Sequence, residues 1–248
     1  MQKQVYVALI CVLAILFGSV LAFGALPGVS YGGETEDDPY RQLRQEMVRN
    51  QIQNRQIFHQ ATLQAMEQVP RHAFVREGDR SRAYHDGPVP IGYGQTISQP
   101  YIVAFMTQLV QPTPDMRILE IGTGSGYQAA VLAEITDEVY TIEIIPELGQ
   151  WGLENLRSSG YDKVHFKQAD GYYGWEKYAP FDAIVVTAAA GHIPPPLVEQ
   201  LRDGGRMVIP VGSPFQTQNL MLVEKEDGSV RTRNLMPVRF VPFTRGEQ

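Results

Sequence analysis

The sequence predicts an α/β protein with an open, mostly parallel sheet, helices on both faces and an antiparallel addition at the C-terminal end. From residue 116 onward, apolar runs typical of strands alternate with stretches of helical spacing, as in βαβ units. A glycine-rich turn at residues 122–126 joins the first of these strands to a helix. Asp227-Gly228 separates two late apolar runs, as in a β-hairpin. The 248 residues suit one sizeable domain with additions.

The first 25 residues are expected to be a signal peptide or an N-terminal membrane anchor. Residues 5–23 are almost wholly apolar and follow Lys3, and acidic residues come after them. This charge distribution predicts that the remainder of the chain lies outside the cytoplasm, either periplasmic or anchored facing outward. Contact with a membrane is expected only through residues 5–23, if they are not cleaved. Residues 26–39, rich in glycine and acids, predict a flexible linker.

The folded region is predicted to span residues 40–248 and to begin with a helical cap. Apolar residues recur at helical spacing in residues 41–57 and again in residues 58–69, where Pro70 ends the pattern. A further helix is predicted for Pro100–Val110. In the alternating region, strands are predicted at residues 116–121, 138–144, 163–167, 181–187 and 206–211, and helices at residues 127–135, 146–156 and 196–201.

Composition argues against two kinds of site. The net charge of −6 and the pI of about 5.4 do not suggest binding to nucleic acid, which usually requires a basic surface. Cys11 is the only cysteine, so a cysteine-type zinc site and an intramolecular disulfide are excluded. The five histidines are scattered without metal-ligand spacing, and no metal site is predicted.

The glycine-rich turn predicts a nucleotide-type cofactor. Glycine at alternate positions allows a tight turn and a close approach of the ligand to the backbone, and the following helix contributes free N–H groups. The spacing is not that of a dinucleotide-binding turn, which would need glycine where Tyr127 stands, and no P-loop string occurs. Glu120, two residues before the turn, would repel a pyrophosphate but not a cationic sulfonium. The turn residues expected to contact the cofactor are Gly122, Thr123, Gly124 and Gly126.

Two more carboxylates are predicted at strand ends near this turn. Glu143 follows Glu120 by 23 residues, a spacing at which an acid can bind both ribose hydroxyls. Asp170, followed by Gly171, can accept a hydrogen bond from an adenine amino group. Each of these acids alone can equally be a helix N-cap or a solvated loop residue. Together they favour an adenosine-containing ligand at the carboxyl ends of the strands.

These motifs resemble those of S-adenosylmethionine-dependent methyltransferases, whose domain is Rossmann-like. P-V-P-I-G-Y-G-Q-T-I-S-Q-P, residues 88–100, resembles the signature of protein-L-isoaspartate O-methyltransferases, as do V-P-R-H-A-F-V at 69–75 and V-R-F-V-P at 238–242. The resemblance covers about Met47 to Phe243. It implies transfer of a methyl group from S-adenosylmethionine to the α-carboxyl of L-isoaspartyl residues in damaged peptides and proteins.

The same resemblance implies the acceptor site. Ser98 matches the active-site serine of the family, and its place before the helix at 100–110 allows its hydroxyl and nearby N–H groups to hold a carboxylate. A role as a helix N-cap alone remains open. Gln95, Thr96 and Ile97 are expected to shape the pocket. The segment around Val241 is expected to pair its backbone with the substrate peptide.

Three alternatives remain open from the sequence. The family resembles soluble cytosolic enzymes, so a true start at Met47 would make the protein cytoplasmic. An exported protein without a supply of S-adenosylmethionine could bind damaged peptides without catalysis. A small-molecule O-methyltransferase would fit the glycine turn but not residues 88–100. We expect a monomer.

Overall fold

The computed structural model describes residues 38–213 and 216–246. The predictions for residues 1–25 and for nearly all of the linker therefore lie outside the described residues. The described residues fall within one compact unit.

The N-terminal part is helical, as predicted, but it is divided more finely than the apolar spacing indicates. Helix α1 (Arg41–Met47) runs directly into a π-helical turn at Val48–Ile52 and a 3₁₀ turn at Gln53–Arg55. Gln56 then adopts a left-handed conformation (φ 67°), which ends the helical path. Helix α2 (Gln60–Gln68) follows.

A short hairpin that the sequence reasoning missed precedes the next helix. Strands β1 (Val89–Gly92) and β2 (Gln95–Ile97) pair antiparallel. The turn between them has positive φ at Gly92, Tyr93 and Gly94. Helix α3 (Pro100–Val110) begins three residues after β2, with the predicted bounds.

The main sheet has seven strands in the order β5-β4-β3-β6-β7-β8-β9. The first five are mutually parallel and the last two are antiparallel, which confirms the predicted mostly parallel sheet with an antiparallel addition. Asp227 and Gly228 form the predicted turn between the last two strands. The strands are β3 (Arg117–Ile121), β4 (Glu138–Glu143), β5 (His165–Gln168), β6 (Phe181–Val186), β7 (Leu201–Val211), β8 (Gln218–Glu226) and β9 (Ser229–Val238).

Helices connect the parallel strands, and the central strands β3, β4 and β6 are buried on both faces. Helix α4 (Tyr127–Ala133) joins β3 to β4, α5 (Pro146–Ser158) joins β4 to β5, and α6 (Pro195–Gln200) lies between β6 and β7. Side chains alternate along each strand, so Ile118 and Leu119 pack into two different apolar clusters. The carboxyl ends of β3, β4 and β6 lie side by side at one edge of this layered unit.

Candidate functional site

A cleft opens at the carboxyl ends of the central strands, where an open α/β sheet binds its ligands. It encloses about 550 Å³, part of it open to solvent. Its walls come from the glycine turn after β3, the end of β4, the β1–β2 hairpin and the segment 241–244. The predicted site residues that line it are Gln95, Thr96, Gly122, Gly124, Glu143, Gly171 and Val241.

The glycine turn has a backbone that side chains would obstruct. Gly122, Gly124 and Gly126 have φ of 99°, 53° and 89°, in the left-handed region that glycine enters without strain. A Cβ on Gly122 would lie 2.5 Å from the Thr187 hydroxyl oxygen. That hydroxyl donates to the carbonyl oxygens of Ile121 (2.9 Å) and Gly122 (2.8 Å), so it is fixed in place. The turn therefore presents bare backbone to the cleft, as the sequence predicts.

Glu143 holds the turn from the neighbouring strand. Its Oε2 accepts a hydrogen bond from the Gly124 N–H (2.9 Å). Its Oε1 accepts from the N–H groups of Ile144 (2.9 Å) and Ile145 (3.0 Å). The carboxylate thus connects the glycine turn to the start of α5 and still lies on the cleft wall.

Glu120 lies beneath the turn and not on the cleft wall. Its side chain is fully buried, and Oε2 accepts from the Thr141 hydroxyl (2.5 Å), which in turn is 2.7 Å from the Thr123 hydroxyl. Oε1 has no hydrogen-bond partner among the residues that the structure describes. Burial raises the pKa of Glu120 to about 8, and the negative charge of Glu143 adds to the increase. Glu120 is therefore largely protonated at neutral pH, so the sequence argument that its charge selects a sulfonium over a pyrophosphate loses its basis.

Asp170 already has partners at the edge of the cleft. It is the N-cap of a 3₁₀ turn, where its Oδ1 accepts from the Tyr172 N–H (3.0 Å). Its Oδ2 accepts from Arg245 Nε (2.8 Å) and from the Gly246 N–H (3.2 Å). Although burial acts in the opposite direction, the hydrogen bonds from Arg245 and from the backbone lower the pKa of Asp170 overall. The N-cap alternative for this acid is thus realised, beside any role toward a ligand.

Ser98 lies in the connection between β2 and α3, but it is not the N-cap of the helix. Gln99 occupies that position and makes no side-chain capping bond, so the N-cap alternative for Ser98 is wrong. Pro100 at the first helical position places the cap one residue later than expected. The carbonyl oxygen of Ser98 accepts a hydrogen bond from Arg71 Nη2 (2.7 Å). Its half-buried hydroxyl has no hydrogen-bond partner within 38–213 and 216–246.

The acceptor residues around Ser98 divide between the cleft and the core. Gln95 and Thr96 line the cleft, whereas Ile97 is buried in the apolar core. The carbonyl oxygen of Val241 accepts from the Ala189 N–H (2.8 Å), and the Phe243 N–H donates back to Ala189 (2.9 Å). Part of the backbone expected to pair with a peptide is therefore paired with the loop after β6.

Thr187 and Phe243 are among the cleft residues that were not singled out from the sequence. Thr187 ends the F-D-A-I-V-V-T run, and its position at the carboxyl end of a parallel strand was the signal that could have found it. Phe243 lies on the cleft wall because of the path of the C-terminal segment, and no local sequence pattern predicts that path.

The described part of the chain contains neither a metal-binding cluster nor a membrane-spanning helix. No group of three or more His, Cys, Asp or Glu side chains in residues 38–213 and 216–246 is arranged to hold a metal ion. Over the same residues, no helix has both the length and the apolar character needed to cross a bilayer.

Comparison with known proteins identifies the family. A family model described as protein-L-isoaspartate(D-aspartate) O-methyltransferase matches residues 41–248. The protein-L-isoaspartate O-methyltransferase of Opitutus terrae is 58% identical over 202 residues, which cover 82% of this chain and 87% of that protein.

Solved structures agree with the fold. One protein-L-isoaspartate O-methyltransferase superposes with a TM-score of 0.73 at 26% identity over 80% of this chain, which spans 65% of that protein's length. A Plasmodium falciparum protein assigned to the same type of methyltransferase, crystallised with S-adenosyl-L-homocysteine, has a TM-score of 0.72 at 26% identity, with 82% of this chain and 99% of that chain covered. With this fold, this cleft and a family match that spans nearly all of the described residues, the chain belongs to the protein-L-isoaspartate(D-aspartate) O-methyltransferase family.

Proposed function

We propose that this chain transfers a methyl group from S-adenosylmethionine to the α-carboxylate of L-isoaspartyl residues in damaged peptides and proteins. The main support for this proposal is that the 88–100 string and the glycine turn lie side by side in one cleft. The 88–100 string forms the β1–β2 hairpin, and Ile91 of that hairpin packs on the glycine turn, with its Cδ1 3.5 Å from where a Cβ of Gly124 would lie. The residues that resemble an acceptor site thus lie beside those that resemble a donor site.

The residues of the cleft fit S-adenosylmethionine. Gly122 and Gly124 present bare backbone to the cleft, and a Cβ at Gly122 would collide with Thr187. Glu143 and Gly171 line the cleft beside it, with Asp170 next to Gly171, and Thr123 and Glu120 support the turn from below. When bound, S-adenosylmethionine supplies an electrophilic methyl group on a sulfonium.

The acceptor half of the site needs to orient a nucleophile and does not need to activate it. A carboxylate is already ionised near neutral pH, so no general base is required. What the protein must contribute is alignment, which is worth several kcal/mol in reactions of this kind. We infer that the Ser98 hydroxyl, which has no other hydrogen-bond partner in the described residues, donates a hydrogen bond to one carboxylate oxygen. Ser98 itself is not on the cleft wall, and the support for this role is that Gln95 and Thr96 of the same segment are. N–H groups at the start of α3 can add to this.

The product is consistent with repair. Methylation converts the carboxylate into an ester whose methoxy group can depart as methanol, so the backbone nitrogen of the following residue can attack the ester carbonyl and close a succinimide. The succinimide then reopens partly as normal aspartate.

Replacement of Ser98 by alanine tests the acceptor site. Because the hydroxyl contacts the carboxylate and not the donor, Ser98→Ala should lower turnover on an isoaspartyl peptide and leave the affinity for S-adenosylhomocysteine nearly unchanged. Ser158→Ala is the matched control, since within the described part of the chain the Ser158 hydroxyl bonds only to the Asn155 carbonyl at the end of α5. An unchanged rate for Ser98→Ala would remove Ser98 from the reacting centre.

We also propose that the protein acts outside the cytoplasm as a monomer, with residues 1–25 as its export signal or anchor. The apolar run at 5–23 and the acidic residues after it support export. Mass spectrometry of the native N-terminus and sizing by light scattering test both statements. A start at Met47 would contradict export, and a dimer mass would contradict the monomer.

A further inference from the structure

Arg71 is a buried cation without an anionic partner. It begins a 3₁₀ turn at Arg71–Phe74 and has no exposed surface. No carboxylate acts on it in the described part of the chain, where only the tyrosines Tyr127 and Tyr84 influence its charge, and Nη1 has no hydrogen-bond partner. Burial of an unpaired charge costs several kcal/mol, and an apolar residue of similar volume would pack at lower cost. Arg71 is therefore not explained by stability.

The guanidinium connects the two halves of the proposed site. Its Nε donates to the Ala83 carbonyl (2.6 Å) and its Nη2 to the Ser98 carbonyl (2.7 Å). Its Cζ lies over the ring of Tyr127, 4.7 Å from the ring centroid. Tyr127 is the first residue of α4, directly after Gly126 of the glycine turn. One rigid group thus contacts both the Ser98 segment and the helix that begins at the donor turn.

We propose that Arg71 is a positioning residue that fixes Ser98 relative to the glycine turn and so aligns the methyl acceptor with the donor. The inference rests on the proposed function. A planar fork that donates along two fixed directions holds a backbone carbonyl more rigidly than a flexible ammonium can. Displacement of a reacting group by about 1 Å can cost about 100-fold in rate, so the rigidity has a catalytic consequence.

The buried Arg44 provides a contrast within the same chain. It is also nearly inaccessible (6% exposed) and also donates to a backbone carbonyl, that of Glu67. Unlike Arg71, it forms an ion pair with Asp38 (2.9 Å). Arg44 therefore has the partners expected of a structural arginine, and Arg44→Lys serves as the matched control.

The test compares turnover with cofactor binding in Arg71→Lys. This variant keeps the positive charge but loses the planar guanidinium that donates along two fixed directions. Turnover on an isoaspartyl peptide should therefore fall by about tenfold or more. The dissociation constant for S-adenosylhomocysteine, measured by calorimetry, should change less than about threefold, because Arg71 bonds to no residue of the cleft wall. Arg44→Lys should alter neither quantity beyond that margin. Arg71→Met, which removes the charge, should keep the melting temperature and lose turnover. Equal turnover in folded Arg71→Lys or Arg71→Met and wild type would overturn the proposal.

A double-mutant cycle with Ser98→Ala separates positioning from general destabilisation. If Arg71 acts through Ser98, Arg71→Lys should lower turnover by less than about threefold when Ser98 is already alanine, because no Ser98 hydroxyl is left to misplace. Fully additive losses would contradict the proposal. Absence of methyl transfer by wild type would instead reject the proposed function, so the two failures are distinguishable. Where Arg71→Lys does not fold, the same cycle is run with Arg71→Met.

Discussion

Replacement of Glu120 by glutamine should make the protein more stable, and increasingly so as the pH rises. The pKa of Glu120 is raised from 4.5 to about 8, first by burial and then by the charge of Glu143. Between these two values the folded protein holds a proton that the unfolded chain has released. The free energy of unfolding therefore falls as the pH rises through this window, and it is highest, with respect to this group, below pH 4.5.

The magnitude follows from the width of the window. Each pH unit within it costs about 1.4 kcal/mol, so the penalty grows by up to about 4 kcal/mol between pH 5 and pH 8. A glutamine has no proton to release, and its amide oxygen can still accept from the Thr141 hydroxyl, as Glu120 does. The unfolding free energy of Glu120→Gln should therefore exceed that of wild type by an amount that increases with pH.

Urea denaturation of both proteins at several pH values from 5 to 8 measures this difference. Subtraction of the two curves cancels the titration of all other groups. Glu154→Gln is the control, because that carboxylate is exposed and, among the described residues, bonds only to Gln150 (2.8 Å). Its difference from wild type should not change with pH. A constant difference for Glu120→Gln would refute the reasoning that Glu120 is buried as a neutral acid.

Two further predictions concern the donor half of the cleft. In Gly122→Ala the new Cβ has a positive φ and collides with Thr187, so the dissociation constant for S-adenosylhomocysteine should rise by about tenfold or more. Gly160→Ala is the control, because Gly160 also has a positive φ but has open space around it. This control should lose about 1 kcal/mol of stability and keep its affinity for S-adenosylhomocysteine. Equal affinity losses in both would show that strain alone is responsible. Glu143→Gln replaces one carboxylate oxygen by an NH₂ group, which cannot accept, so either the Gly124 N–H or the Ile144 and Ile145 N–H groups lose their acceptor. The affinity for S-adenosylhomocysteine should therefore fall by about 1–3 kcal/mol in calorimetry, and an unchanged affinity would contradict the view that Glu143 holds Gly124 in place.

The parts of the fold predicted from sequence are those that local physics determines. Four of the five parallel strands, all except β5, contain apolar runs. The glycine turn and the Asp227-Gly228 hairpin require backbone conformations that few residues adopt. The β1–β2 hairpin was missed because its strands have four and three residues and contain Pro90 and Gly92, which weaken any strand pattern.

The parts of the site that sequence could not supply depend on tertiary contacts. Glu120 was placed at the right strand end, but its complete burial and its hydrogen bond with Thr141 of the neighbouring strand are tertiary features that no spacing reveals. The partner of Asp170 is Arg245, 75 residues away in sequence. The cap of α3, in contrast, was predictable, because proline at the first helical position indicates that the residue before it is the cap.

The central claim is that the cleft methylates isoaspartyl carboxylates. The direct measurement is transfer of labelled methyl groups from S-adenosylmethionine to a peptide that contains one L-isoaspartyl residue, with the L-aspartyl peptide of the same sequence as the control. We expect labelled methyl groups on the isoaspartyl peptide, which are released again as methanol when the ester cyclises, and no label on the aspartyl peptide. Purified, folded protein that labels neither peptide, or both equally, would contradict it.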